Sequence, residues 1–372
     1  MSQINKPKEY FDGKIYLGSA SAVTVTGLDF QPDLVWVKDR DNGNNHCLVD
    51  AVRGTGKYMS SDLTSAETDN ATNSISAFNS DGFTTGTANP ANEAASTTKG
   101  FMSWNWLASN TTASNTQGDI TSTVSANTTS GFSIVSYTGN ATAGATVGHG
   151  LGVTPDMFIV KVRSADNNWA VYHKSMGETK AMYLDGTSAE TTDGWLNNTA
   201  PDSSVFTLSG GNYGNTSGNT HIAYCFAEKK GFSSFGSYVG NGNADGTFVY
   251  TGFKPAMIIT KQTNTSGGQW YIYDSVRNEF NLTDKQLFPN LSNTESTGNN
   301  QYDFYSNGFK ARSSNGDTNA SGGTYIYMAF ASEPLVGSNN VCATARWFVQ
   351  TQSVKKDFYL KDQIQTIVLY IA

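Results

Sequence analysis

One seven-residue phrase occurs three times in this chain. Pro32-Asp33-Leu34-Val35-Trp36-Val37-Lys38 recurs as Pro155-Asp156-Met157-Phe158-Ile159-Val160-Lys161 and again as Pro255-Ala256-Met257-Ile258-Ile259-Thr260-Lys261. A Tyr-x-Gly precedes each copy: Tyr16-Leu17-Gly18, Tyr137-Thr138-Gly139 and Tyr238-Val239-Gly240. The copies close on Trp104-Asn105-Trp106, Tyr224-Cys225-Phe226 and Met328-Ala329-Phe330, so that Tyr to last aromatic spans 90, 89 and 92 residues. Repetition at a fixed period sets boundaries before any single residue is interpreted. It predicts unit one over 1–109, a Ser/Thr/Asn-rich linker over 110–130, unit two over 131–231, unit three over 232–334, and a tail over 335–372 outside the repeat. It also argues against an enzyme, since an asymmetric active site need not be present in triplicate.

Within unit two, strand signals fall at Ser133–Tyr137, Ala145–His149, Met157–Arg163, Trp169–Tyr172, Ala181–Leu184, Val205–Leu208 and His221–Ala227. Each is short, rich in β-branched or aromatic residues, and bounded by turn formers. The apolar run ending in Lys161 suits a strand buried on both faces, and its Pro opens the strand where a missing N–H is harmless. The closing strand alternates and is expected to face solvent on one side. Helix candidates are confined to Glu9–Gly13 and Thr283–Phe288. Charged residues make up only 15% of the chain, and Gly reaches 37, a balance of short strands and polar turns. The expected fold is all-β: three tandem β-sandwich units, jelly-roll or lectin-like, of about 90–100 residues each. Ser109–Ser130 reads as flexible or extended, and Ile367–Ile371 as an added strand or oligomerisation segment.

The net charge of −7 comes with no Lys/Arg cluster, which excludes a phosphate-neutralising surface and hence nucleic acid as a partner. The first residues carry no secretory signal, and no run approaches the length of a membrane-spanning helix, so no membrane insertion is expected. Cys47, Cys225 and Cys342 lack paired spacing and read as isolated thiols.

One polar slot follows the Pro-to-Lys phrase: Asp50, His173 and Asp274, with Arg53, Met176 and Arg277 three residues on. A charge pair fixing a hairpin end is expected in units one and three. Lys38, Lys161 and Lys261 are expected to pair with Glu67, Glu190 and Glu295 between strand and loop. Asp39 and Asp41 resemble half of a calcium loop, against a plain hairpin loop as the simpler reading. Trp169, Trp270, Tyr213 and Trp195 are glycan-binding candidates, because flat rings beside amide groups suit sugar faces and hydroxyls. No catalytic residue and no cofactor is indicated.

The words Gly27-Leu28-Asp29-Phe30-Gln31-Pro32-Asp33-Leu34-Val35-Trp36-Val37-Lys38, Asp50-Ala51-Val52-Arg53-Gly54, Ser80-Asp81-Gly82-Phe83 and Phe330-Ala331-Ser332-Glu333-Pro334-Leu335-Val336 carry a resemblance. Across residues 9 to 346 the chain resembles an uncharacterised β-rich repeat domain of tail-fibre and other virion proteins of marine phages, cyanophages above all. The resemblance implies a virion structural protein, assembled in the host cytoplasm. Its expected role is a tail-fibre component contributing to attachment to a host-surface glycan or protein. Other virion or tail proteins are its expected partners, with a homotrimer as the assembly. The alternatives are a capsid-decorating protein and, last, a glycan-cleaving tailspike, which would need paired carboxylates that this chain does not place equivalently in all units.

Overall fold

The computed structural model describes residues 2–94 and 98–334. Regular structure there is nearly all β, with single helical turns at Pro7–Glu9, Ala71–Asn73, Asn212–Asn215 and Gly316–Asn319. Four strands stand side by side in each unit, every neighbour antiparallel. Their order is opening strand, closing strand, Pro-to-Lys strand and the hairpin partner of the last. In unit one these are Phe11–Tyr16, Phe101–Trp106, Leu34–Asp39 and Cys47–Asp50. In unit two they are Phe132–Thr138, Thr220–Phe226, Met157–Val162 and Ala170–His173. In unit three they are Ser233–Val239, Thr324–Pro334, Phe253–Gln262 and Trp270–Asp274.

A second, smaller sheet supplies residues to a local core in each unit. Its strands are Thr24–Val25, Gly82–Thr85 and Ile75–Asn79 in unit one, and Thr146–Gly148 and Val205–Thr207 in unit two. Unit three uses Phe248–Tyr250, Gly308–Ala311, Ser296–Tyr305 and Thr283–Gln286. Val35 and Val37 meet Phe83 in the first local core, Phe158 and Val160 meet Phe206 in the second, and Ile258 meets Phe309 in the third. The intervening residues of the same strands point the other way, because side chains alternate along a strand. Leu34 and Trp36, Met157 and Ile159, and Met257 and Ile259 all enter one core shared by the three units. Three equivalent rings meet there: Trp106 lies 6.4 Å from Phe226 and 5.7 Å from Phe330, and those two are 5.9 Å apart, centroid to centroid. The continuous apolar run is thus explained by two cores, one on each face.

All seven strand positions expected in unit two are strands, with ends shifted by a residue or two. Several expectations are corrected. The closing strand lies between the opening strand and the Pro-to-Lys strand in each unit and is buried on both faces; in unit two, His221 through Phe226 are all buried. The 110–130 segment is not a flexible linker. It contributes strands Ala113–Asn115 and Ser122–Asn127, the latter paired with Phe132–Thr138, at one edge of that sheet; Lys180–Tyr183 and Thr191–Thr192 at the other edge bring it to eight strands. Its hydroxyls and amides are engaged, as in Ser122 Oγ to Gly148 O at 2.8 Å and Asn127 Nδ2 to Ala108 O at 2.9 Å. Thr283–Gln286 is a strand rather than a helix, and the turn at Pro7–Glu9 gives way to strand at Phe11. Pro255 sits inside its strand at a shift of register, whereas Pro32 and Pro155 precede theirs. Cys47 and Cys225 are buried free thiols. Residues 335–372, with Cys342 and Ile367–Ile371, lie outside the described residues. No helix among the described residues is long and apolar enough to cross a membrane.

Candidate functional site

The recurring polar residues converge on the joints between units. Asp50 Oδ1 accepts the backbone N–H groups of Val52 (3.1 Å) and Arg53 (2.9 Å), and Oδ2 accepts Arg53 Nε. The same Oδ2 takes the Tyr224 hydroxyl of unit two at 2.8 Å. Asp274 repeats this, with Val276 N–H at 3.1 Å, Arg277 N–H at 2.8 Å and Arg277 Nε at 2.6 Å. Its Oδ2 takes Trp104 Nε1 of unit one at 3.2 Å. The expected hairpin charge pairs therefore exist, and both are buried. Unit two is matched to its neighbour. The position of Trp104 and Tyr224 is Met328 in unit three, which offers no donor, and a carboxylate facing it would be buried without that partner. His173 stands there instead. Its Nδ1 accepts Ser175 N–H at 3.1 Å, so Nε2 carries the proton and donates to Tyr327 O of unit three at 3.1 Å. Burial pushes the His173 pKa down to about 4.

The Lys and Glu of each unit do not pair with each other as expected; both reach across a joint. Lys38 Nζ donates to Ser292 O of unit three at 3.0 Å, Lys161 to Thr64 O of unit one at 2.7 Å, and Lys261 to Thr187 O of unit two at 3.5 Å. Burial lowers all three to about 8. The Glu67, Glu190 and Glu295 amides donate to Arg163 O (2.8 Å), Thr263 O (2.8 Å) and Arg40 O (3.0 Å). The contacts run one to two, two to three and three to one, closing a ring.

The Glu side chains differ. Glu67 binds Arg163 through two bonds of 2.9 Å and Arg53 at 3.1 Å. Glu295 binds Arg40 at 2.8 and 3.0 Å and Arg277 at 3.4 Å. Burial opposes the charge on both carboxylates, and the guanidiniums outweigh it, so each is held below the usual carboxylate range. Glu190 lies 3.9 Å from Lys180, because Met176 and Thr263 occupy both Arg positions of its joint.

The proposed sugar-stacking rings belong to this scaffold. Trp169, Trp270 and Trp195 are at most 1% exposed. Trp169 Nε1 donates to Ser60 O and Leu63 O of unit one (3.0 and 3.1 Å), and Trp270 Nε1 to Tyr183 O of unit two (2.9 Å). His46, in the same slot of unit one, reaches Phe288 O of unit three at 2.9 Å. Trp195 packs 5.7 Å from Phe158, and half-buried Tyr213 bonds the Tyr183 hydroxyl at 2.9 Å. A ring packed on both faces offers no face to a sugar, so the three Trp candidates are corrected to structural residues. Asp39 and Asp41 likewise serve different turns. Asp39 Oδ1 accepts Asp41 N–H at 2.8 Å, while Asp41 accepts Thr98 Oγ1 at 2.7 Å and Gly100 N–H at 2.8 Å. Among the described residues no three metal-ligating side chains group together.

One further polar triplet recurs without a motif to announce it. Asn92, Asn215 and Asn319 are fully buried, and their Oδ1 atoms accept Ser19, Asn140 and Asn241 N–H at 2.8, 2.8 and 3.0 Å. Each donor stands three residues after the Tyr of Tyr-x-Gly, and each amide anchors a loop to the sheet. The available signal was spacing: Asn lies nine residues before Tyr224 and Met328, but twelve before Trp104. A cleft of about 250 Å³ opens in unit one between Asn44, Tyr58, Leu63, Asn89 and Pro90. The described lining is made of amides, hydroxyls, apolar side chains and the Tyr58 ring.

Fold and site together define an all-β protein whose repeated polar residues hold three sandwich-like units in a ring. The chain belongs to the family described as Domain of unknown function (DUF7483), which matches residues 6–334. No curated protein and no solved structure matches it.

Proposed function

We propose that this chain is a structural protein of a phage particle, a tail-fibre component that contributes to attachment to the host surface. The supporting observation is the commitment of its recurring polar side chains to buried joints, where Glu67, Glu295, Asp50 and Asp274 each have a cationic partner. Such a body spends its repeated chemistry on cohesion, and recognition falls to outer surfaces that differ between units. Resemblance to virion repeat domains points the same way. The ring is complete within one chain, so a homotrimer would form through outer surfaces rather than to cover unpaired unit faces; sedimentation equilibrium tests that assembly. The functional test is gold-labelled antibody on purified particles, with binding of the purified chain to host cells beside it. Label on the tail and saturable cell binding are expected. Label on capsid facets would assign the chain to capsid decoration instead.

A further inference from the structure

Comparison of the three second sheets isolates one surface. The buried Val25, Val147 and Val249 are equivalent, each paired with a buried Phe: Phe83, Phe206 and Phe309. The residues on either side, on the opposite face, are the exposed Thr24 and Thr26 in unit one, Thr146 and Gly148 in unit two, where Gly148 is buried under Asn115, and Phe248 and Tyr250 in unit three. Across the hairpin, Asn79 pairs with Gly82 in unit one, and Tyr305 pairs with Gly308 in unit three. Unit three alone therefore replaces small polar residues by rings at three neighbouring outward positions. They are exposed: Phe248 by 43%, Tyr250 by 62% and Tyr305 by 39%. The Phe248 and Tyr305 rings lie 6.0 Å apart, edge to face, and Phe248 leans over Gly308, where an added Cβ would meet its ring at 2.9 Å.

We infer that this face of unit three binds a saccharide about two sugar rings long, stacked on Phe248, Tyr250 and Tyr305. The inference rests on the attachment reading above and names its ligand class. Size selects a sugar over a second protein. At about 200 Å² for a whole aromatic side chain, the three rings expose roughly 300 Å². A stable protein interface needs about 800 Å² per partner. Chemistry agrees. The next cross-strand row carries Lys310 and Asp303, and Asp303 accepts the Tyr305 hydroxyl at 3.2 Å and faces Arg312 Nε at 3.4 Å. Flat apolar faces bordered by charged donors and acceptors are complementary to a sugar, whose C–H faces are apolar and whose rim is hydroxylated.

The test compares the full chain with the variant Phe248→Thr, Tyr250→Thr, Tyr305→Asn, which places unit one's residues at the equivalent positions of unit three. Both are applied to a printed array of oligosaccharides, run in native gels cast with host surface polysaccharide, and incubated with host cells. The parent is expected to bind sugar and be retarded in the gel, and the variant to lose at least about tenfold in affinity with an unchanged melting midpoint. If the triple variant does not fold, Tyr250→Thr alone, at the most exposed ring, reads the same loss. Equal sugar binding by parent and variant overturns the inference and leaves attachment standing, as does cell binding with no sugar bound. Self-association that the variant abolishes makes the face a contact between copies and also overturns it. No binding to cells or sugars overturns both readings.

Discussion

Glu67, Glu190 and Glu295 occupy one position in three joints and offer a controlled perturbation: Glu→Gln at each, which removes charge and keeps volume. At Glu295 the carboxylate is 5% exposed and holds Arg40, itself 7% exposed, together with Arg277. Arg277 keeps Asp274, but Arg40 loses the carboxylate it binds through two bonds. Breaking a buried pair costs about 3–5 kcal/mol. At Glu67 the carboxylate is 13% exposed and Arg163 15%, so the cost is smaller but of the same kind. At Glu190 both members are about a third exposed and 3.9 Å apart, where pairs are worth about 1 kcal/mol or less. Unfolding entropy near 2.1 cal/mol/K per residue gives residues 2–334 about 0.7 kcal/mol/K. A loss of about 4 kcal/mol then lowers the melting midpoint by about 6 °C at Glu295, against about 1 °C at Glu190. Differential scanning calorimetry at pH 7 reads the ranking Glu295, Glu67, Glu190. The stability from Glu295 is present above the ordinary Glu pKa and is lost as pH falls through its depressed value, so the gap between parent and Glu295→Gln closes in acid. Three equal midpoints would refute the joint as the seat of these charges.

Acid should weaken the fold before most carboxylates titrate. His46, His173 and His221 are buried, with pKa values lowered to about 3, 4 and 4. Below pH 6.5 only the unfolded chain takes up their protons, which by pH 5 costs about 2 kcal/mol each. Asp33, raised to about 6 by burial, offsets about 1.4 kcal/mol of that. Urea unfolding at pH 7 and pH 5 reads the balance, and equal midpoints would reject neutral buried histidines. Trp169→Ala and Trp270→Ala should each cost about 3–5 kcal/mol while leaving sugar binding by the folded fraction unchanged. Loss of binding without loss of stability would return those rings to a ligand site. Asn215→Ala should cost about 1–3 kcal/mol by orphaning the Asn140 N–H and the carbonyls of Thr142 and Ser209, read as earlier protease cleavage in the 140–142 loop.

Much of the fold is legible in the chain itself. The three phrases mark the same strand in each unit, unit two's strands lie where apolar and β-branched runs stand between turn formers, and Asp50-x-x-Arg53 announces its own hairpin pair. These are local signals, written in residues close in sequence. The candidate site was less legible. Trp169 and Trp270 look like sugar platforms because a ring beside amides has that composition whether its faces are open or packed, and only the neighbouring unit decides. The Ser/Thr/Asn run over 110–130 has the composition of a tether, yet an adjacent edge strand gives its backbone a ladder to join. Conversely, nothing local in the sequence marks Phe248, Tyr250 and Tyr305 apart from core aromatics; the strand register turns them outward.

By itself, then, the sequence determined the strands, their threefold recurrence and the apolar faces that must be covered. Only the tertiary structure decided what covers them, because an apolar face specifies burial but not a partner. The ring shows why the polar slot drifts from Asp50 to His173 to Asp274. Each bonds a residue 174, 154 or 170 positions away, and His173 reaches the Tyr327 carbonyl because the position equivalent to Tyr224 and Trp104 is Met328, which has no proton to give.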